Sequence, residues 1–274
     1  MGIVNDVRAG KPIPVPVIDT HVHLYESSGG GLHQGLRTLE ETMKLMDDIG
    51  VDILVTAPTI FNTGRCELAN AQAVDAIARY PGRIYGNITV APHDGADAVK
   101  ALIRKYSKME GFVGVKLLTG YHGAPTRPEY AYAFEFAQEC GCPVTLHFWE
   151  DEAITHENIA ETLERYPKVK IILAHQGGGV RHMTLKTAEM MKQCPRLYID
   201  SCGSLWNRLG MDEIAAAVGE DRVVYGSDCW FGEPRFEIGR VVFSGLPEES
   251  MRKIFAENYL KILEGSQLGQ IKLS

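Results

Sequence analysis

The sequence lacks most of the features that staple, anchor or strongly charge a protein. It has six cysteines, at 66, 140, 142, 194, 202 and 229, and no Cys-x-x-Cys pair. Cys140-Gly141-Cys142 stands alone, so neither a zinc ribbon nor a thioredoxin-type motif is indicated, and the cysteines read as small buried fillers of a reduced protein. No apolar run approaches the ~18 residues of a membrane span, and the N-terminal stretch has no signal-peptide core. Met1-Gly2 could open a myristoylation site, but Asp6 stands where Ser or Thr is required. No basic run exceeds two residues and the formal charge is −7, which argues against a nucleic-acid partner. The expectation is a cytoplasmic protein with a small-molecule substrate, no nucleic acid and no membrane.

What is present suits an ordinary globular chain. Apolar residues make up 45% and charged residues 23% of 274 positions, enough to bury a core without staples. Val17-Ile18-Asp19-Thr20-His21-Val22-His23-Leu24 reads as a short strand with Asp19, His21 and His23 at alternate positions. Alternation puts the three on one face, where two imidazoles can reach one divalent cation.

The rest of the chain alternates strand and helix. Strand candidates lie near 17–23, 51–57, 83–90, 111–118, 143–148, 169–175, 196–201 and 222–228. Helices are expected near 38–49, 66–80, from Asp94 or Asp97 as cap to 108, at 129–140, 156–166, 180–193 and 211–218, and from Pro247 to 263. Short, continuously apolar strands separated by helices imply a parallel sheet buried on both faces. Eight such units in a chain of this length point to one domain, residues 1–274, folded as an α/β (β/α)8 TIM barrel. A doubly wound open sheet is the alternative, but no Gly-x-Gly-x-x-Gly turn follows the first strand.

A barrel builds its active site at the carboxyl ends of its strands. Polar residues expected there are His21, His23, Lys116, His147, His175 and Asp228, so four of the nine histidines converge on one rim. Such a gathering favours a metal site over separate hydrogen-bonded core histidines. Asp19 shares the face of its strand but one layer deeper, which suits a supporting role more than ligation. Arg65, Trp149, Arg181, Trp206, Trp230 and Phe231 follow strand ends and either line the pocket or pack as a lid. His33, His93, His122, His156 and His182 read as surface or packing residues.

VIDTHVHL, GVKL, the His of VTLHF, ILAHQGG, VVYGSD and the closing IFAENYLKIL together resemble the amidohydrolase superfamily. More narrowly, they resemble its amidohydrolase-related (family 2) branch, which includes aminocarboxymuconate-semialdehyde decarboxylase. These motifs run in order from residue 17 to about 263. The resemblance implies one divalent metal, zinc first and manganese second, held by His21, His23, His147 and Asp228. It also implies that His175 orients or polarises water or substrate, with Asp228 as the proton acceptor. In binuclear branches the fourth-strand Lys is carboxylated and bridges two metals; in this branch it is left to the substrate, which makes Lys116 an anion contact. Where the family often has Tyr-Pro after Gly-Ser-Asp, this chain has Cys229-Trp230.

Two activities fit that constellation. The first expectation is a metal-dependent hydrolase of a lactone, amide or ester using a metal-activated water. The alternative is a non-oxidative decarboxylase of an aromatic or dienoic acid, which needs cations for a carboxylate: Lys116, Arg65 and Arg181 are available, without a dense Arg cluster. A barrel without catalysis would show a broken ligand set, whereas this set is intact. A homodimer is compatible with the family and with an apolar face on the last helix.

Overall fold

The structure is a computed structural model that describes residues 2–24, 38–149, 154–203 and 209–273. The Gly-rich stretch 27–31, His33 and Trp206 lie outside the described residues. Eight strands form one parallel sheet in sequence order: β1 Ile18–Val22, β2 Ile53–Thr56, β3 Ile84–Val90, β4 Phe112–Leu117, β5 Pro143–Leu146, β6 Lys170–Leu173, β7 Leu197–Asp200 and β8 Val223–Val224. The ring is closed by the segment after β8, whose Tyr225 carbonyl accepts from Thr20 N at 3.0 Å. The Cys229 carbonyl accepts from His23 N at 2.6 Å, and the Asp228 N–H donates to the His21 carbonyl at 2.9 Å. The molecule is a (β/α)8 TIM barrel.

The helices are α1 Ile3–Arg8, α2 Leu39–Ile49, α3 Cys66–Arg79, α4 Ala96–Tyr106, α5 Thr119–His122, α6 Ala131–Cys140, α7 His156–Arg165, α8 Ala174–Gly178, α9 Arg181–Gln193, α10 Met211–Val218, α11 Pro234–Val242, α12 Glu248–Arg252 and α13 Asn258–Leu263. Local chemistry sets several boundaries. Thr38 and Glu41 form a capping box on α2, and Gly50, at φ 83°, ends that helix. No helix among the described residues is long and apolar enough to cross a membrane.

Five sequence expectations need correction. The stretch before the first strand begins with a helix, α1, and α11 follows the last strand; neither helix was expected. Neither Asp94 nor Asp97 caps α4; Gly95 at φ 86° takes that position. β8 is two residues long, because the chain beyond Val224 turns to bond β1 and the last helix instead of continuing straight. That last helix is not continuous: Tyr225 N donates to the Ile254 carbonyl at 2.8 Å, and the helix widens into a π turn over Lys253–Glu257.

Two apolar layers follow from this arrangement. The larger one fills the space between strands and outer helices. A smaller one gathers Ile18, Ile53, Val113, Ile172 and Val224 of five strands with Tyr259, Ile262, Leu263 and Ile271 of the C-terminal segment. The C-terminal segment thereby packs hydrocarbon against the barrel strands. The polar groups are left to the carboxyl rim.

Candidate active site

The rim residues are placed by strand ends. His21 lies on β1 and His23 just beyond it, past an irregularity in the β1–β2 register between Asp19 and Val22. Lys116 is the penultimate residue of β4, and His147 is the first after β5. His175 stands in α8 after β6, Asp200 ends β7, and Asp228 follows β8.

Three donor atoms meet. His21 Nε2 lies 3.1 Å from His23 Nε2, and Asp228 Oδ1 lies 3.6 Å from the first and 3.3 Å from the second. Ligands of one tetrahedral ion at about 2.05 Å stand roughly 3.3–3.4 Å apart, so these separations match a shared cation. The protons point the same way. His23 Nδ1 faces the Ala57 carbonyl at 2.7 Å, an acceptor only, so that nitrogen donates. His21 Nδ1 likewise donates to Asp200 Oδ2 at 2.7 Å. With Nδ1 as the donor in each, the two rings turn Nε2 toward each other and toward a carboxylate. Three electron-rich atoms facing inward fit a divalent metal.

The electrostatics agree. Burial lowers the His23 pKa and pushes His175 well down; burial and the nearby Lys116 bring His147 down to about 3. For Asp228 burial acts upward, but the His23 hydrogen bond and the neighbouring imidazoles outweigh it and hold the carboxyl well below its usual range. Asp200 is also driven up by burial, yet His21, His175 and Lys116 bring it to about 2. Both carboxylates are ionised, and His23, His147 and His175 are held toward the neutral form, the protonation states that metal ligands need.

Lys116 is deeper than a rim contact: its side chain is 1% exposed and Nζ lies 3.0 Å from His21 Nε2. Burial lowers its pKa, while Asp200, Cys202 and Asp228 push it back up. His147 sits outside the tight triad; its Nδ1 bonds His175 Nε2 at 3.0 Å. Asp19 accepts from the Ser227 amide at 2.9 Å, the Ser227 hydroxyl and the backbone N–H of His21 at 3.2 Å, and so braces the strand without meeting the triad's donor atoms. Its burial raises its pKa to about 7.

His175 is held in an unusual backbone. His175, Gln176 and Gly177 have φ of 57°, 57° and 68°, a left-handed turn that costs energy for residues with a Cβ. Side chains secure it: Gln176 Nε2 donates to the Ser201 and Cys202 carbonyls at 3.1 Å, and Thr187 Oγ1 donates to the Gly177 carbonyl at 2.6 Å. Asp228 is another left-handed residue, at φ 56°. Backbone strain gathers at the residues that face the triad.

Aromatic rings frame the site. Trp149 stands edge to face with His175 at 4.8 Å between ring centres, against Gly179 and Gly203, which leave no room for a Cβ there. Tyr121, 70% exposed, lies 5.3 Å from the His147 ring, and Phe231 lies 5.3 Å from His23. Phe61 stacks on His23 at 5.9 Å and meets the edge of His122. Trp230, at φ 85°, packs half-buried on the core. Arg65 is exposed beside a surface cleft with His93 and Asp94, and Arg181 pairs with Glu213 at 3.8 Å. Neither has a described contact with the histidine cluster.

Sequence reasoning missed Asp200, Cys202, Phe61 and Tyr121. Asp200 ends a strand as the other rim residues do, but Asp before Ser-Cys-Gly reads equally well as a turn residue. Cys202 Sγ lies 3.2 Å from His21 Nδ1 and 3.3 Å from His175 Nδ1, a proximity with no local sequence signal.

A parallel eight-stranded barrel with a cation-sized cluster of His and Asp at its carboxyl rim defines an enzyme class of metal-assisted chemistry. The chain belongs to the amidohydrolase family, whose model matches residues 18–264. Its fold is similar to that of 2,6-dihydroxybenzoate decarboxylase from Rhizobium, at 15% identity and a TM-score of 0.71, covering 93% of this chain and 99% of that one. It is similar to dihydroxybenzoic acid decarboxylase from Polaromonas sp. JS666, solved with manganese and 2-nitroresorcinol, at 16% identity and 0.67, covering 84% and 86%. It is also similar to 5-carboxyvanillate decarboxylase from Sphingomonas paucimobilis, at 16% identity and 0.65, covering 82% of each chain.

Proposed function

We propose that the chain is a metal-dependent, non-oxidative decarboxylase of an aromatic carboxylic acid. The observation that carries this reading is a buried lysine next to a triad of cation-ligand spacing, framed by aromatic rings. Lys116 can pair with a carboxylate, and Trp149, Tyr121 and Phe231 offer faces and edges to a planar ring. The three similar solved structures named above, each a decarboxylase of an aromatic acid, support it and favour the alternative activity expected from sequence over the hydrolase put first. Hydrolysis remains the second reading because the same triad with Asp228 would serve it.

His21, His23 and Asp228, with His147 as the fourth candidate, would hold one divalent ion, manganese or zinc. When bound, that ion supplies Lewis acidity toward the substrate's oxygens. The reaction breaks the bond between ring carbon and carboxylate, leaves the electron pair on the ring carbon and adds a proton there as CO2 departs. The rim can relay that proton. Asp228 is ionised, so it acts as a transient acceptor that takes a proton from water and passes it on, not as a store of one. His175 connects through Nε2 to the partly exposed His147 and so to the outside.

The test is turnover by the manganese- or zinc-loaded protein of 2,6-dihydroxybenzoate and 5-carboxyvanillate, alongside lactones, esters and amides. CO2 release, with deuterium from D2O at the vacated ring carbon, is expected. Hydrolysis of a lactone or ester without any decarboxylation would overturn the reading in favour of the second.

A further inference from the structure

The group best placed to govern the triad without joining it is Asp200. Its side chain is fully buried at the end of β7, so its lone pairs must be used within the protein. The two oxygens do different things. Oδ2 accepts the Nδ1 proton of His21 at 2.7 Å. Oδ1 accepts the backbone N–H of His175 at 2.8 Å, the backbone N–H of Cys202 at 3.3 Å and the Cys202 thiol at 3.1 Å. One carboxylate thus fixes the ring of His21 and the left-handed backbone that carries His175.

We propose that Asp200 is a positioning residue that locks His21 in the Nδ1–H tautomer and, through the same carboxylate, aligns His175 with the metal site. This rests on the reading of His21 as a metal ligand. A neutral imidazole has one ring proton. With that proton on Nδ1, Nε2 presents its lone pair to the space shared with His23 and Asp228; with it on Nε2, the ring points a hydrogen at that space and cannot ligate. Carboxylate partners of this kind fix ring orientation and raise ligand basicity.

Asp200→Asn separates the two tasks. The amide oxygen can still accept from His175 N and Cys202 N, so the left-handed turn keeps its support. The amide nitrogen, a donor, then faces His21 Nδ1 and favours the wrong tautomer. Manganese and zinc affinities of wild type, Asp200→Asn and Asp19→Asn are measured by competition with a chromogenic chelator, beside thermal unfolding of the metal-free proteins. Asp19 is the control, since it is equally buried but bonds Ser227 and the backbone N–H of His21, which an Asn oxygen can still accept, and no histidine ring. Affinity in Asp200→Asn is expected to fall about 10–100-fold, and Asp19→Asn is expected to stay within a few-fold of wild type. Wild-type affinity in a folded Asp200→Asn overturns the proposal, as does an equal loss in Asp19→Asn. Should Asp200→Asn fail to fold, 15N NMR of the metal-free wild type decides: a protonated His21 Nδ1 is expected, and a protonated Nε2 overturns it. A wild-type chain that takes up no metal removes the reading of the triad itself, an outcome distinct from an unaffected variant.

Discussion

Lys116 is the residue whose environment asks most of its charge. Its ammonium lies 3.0 Å from His21 Nε2, the atom that would face a metal, and it is almost fully buried. A cation there competes with the metal for the same lone pair and, once the metal is in place, is free to pair with an anionic substrate. Lys116→Met keeps the length and removes the charge. A charge-assisted hydrogen bond contributes about 1.5–3 kcal/mol, so KM for an aromatic carboxylate should rise roughly 10–150-fold. Metal affinity should hold or increase, since a competing positive charge is gone. Steady-state kinetics and metal titration separate the two effects; unchanged KM would remove Lys116 from substrate binding. His21→Ala has the opposite signature: stoichiometric metal should be lost while circular dichroism reports an intact barrel.

At the scale of elements, the left-handed turn of α8 joins fold to site. Gly177 has φ 68°, and a Cβ there would stand 2.6 Å from Thr187 Cγ2 and 3.0 Å from Ile199 Cγ2. Gly177→Ala should therefore destabilise by about 2–5 kcal/mol, combining left-handed strain with overpacking. It should also lower kcat by displacing His175, two residues away. Denaturant unfolding and kinetics on one preparation test both; a neutral variant would mean that the turn is not what orients His175. These elements also show what was legible in the sequence. Strands such as VKIILAH and GFVGVKLL stood out because strands of a parallel barrel are buried on both faces and need no alternation. His21 and His23 stood out through their period of two. Asp200 did not, because its meaning depends on β7 lying near β1 through β8, a relation between residues about 180 apart. The depth of Lys116 and the left-handed backbone of His175 were equally hidden, since both are set by tertiary packing. α11 escaped because Arg235, Glu237 and Arg240 interrupt a short apolar pattern.

For the whole molecule, holding several imidazoles neutral makes stability depend on pH. Burial lowers the pKa of His23, His147 and His175, that of His147 to about 3. In the unfolded chain the same rings bind protons below about pH 6.5. Between those values the unfolded state holds more protons than the folded one, so unfolding free energy rises with pH and falls as the solution is acidified. The contribution is fully present above pH 6.5 and is lost progressively toward pH 3. Metal-free protein should accordingly show a urea midpoint that drops from pH 7 to pH 4.5. His147→Gln removes one such group, so its midpoint should converge on, or pass, that of wild type as the pH falls. Parallel curves across this interval would mean that His147 titrates as an ordinary exposed imidazole. Added manganese or zinc should shift the wild-type midpoint upward most at neutral pH, where unprotonated ring nitrogens are most favourable to ligation, and least near pH 4.5, where protons compete for them. The rim thus ties acid sensitivity of the fold to the capacity to bind a cation, because both draw on the same neutral imidazoles.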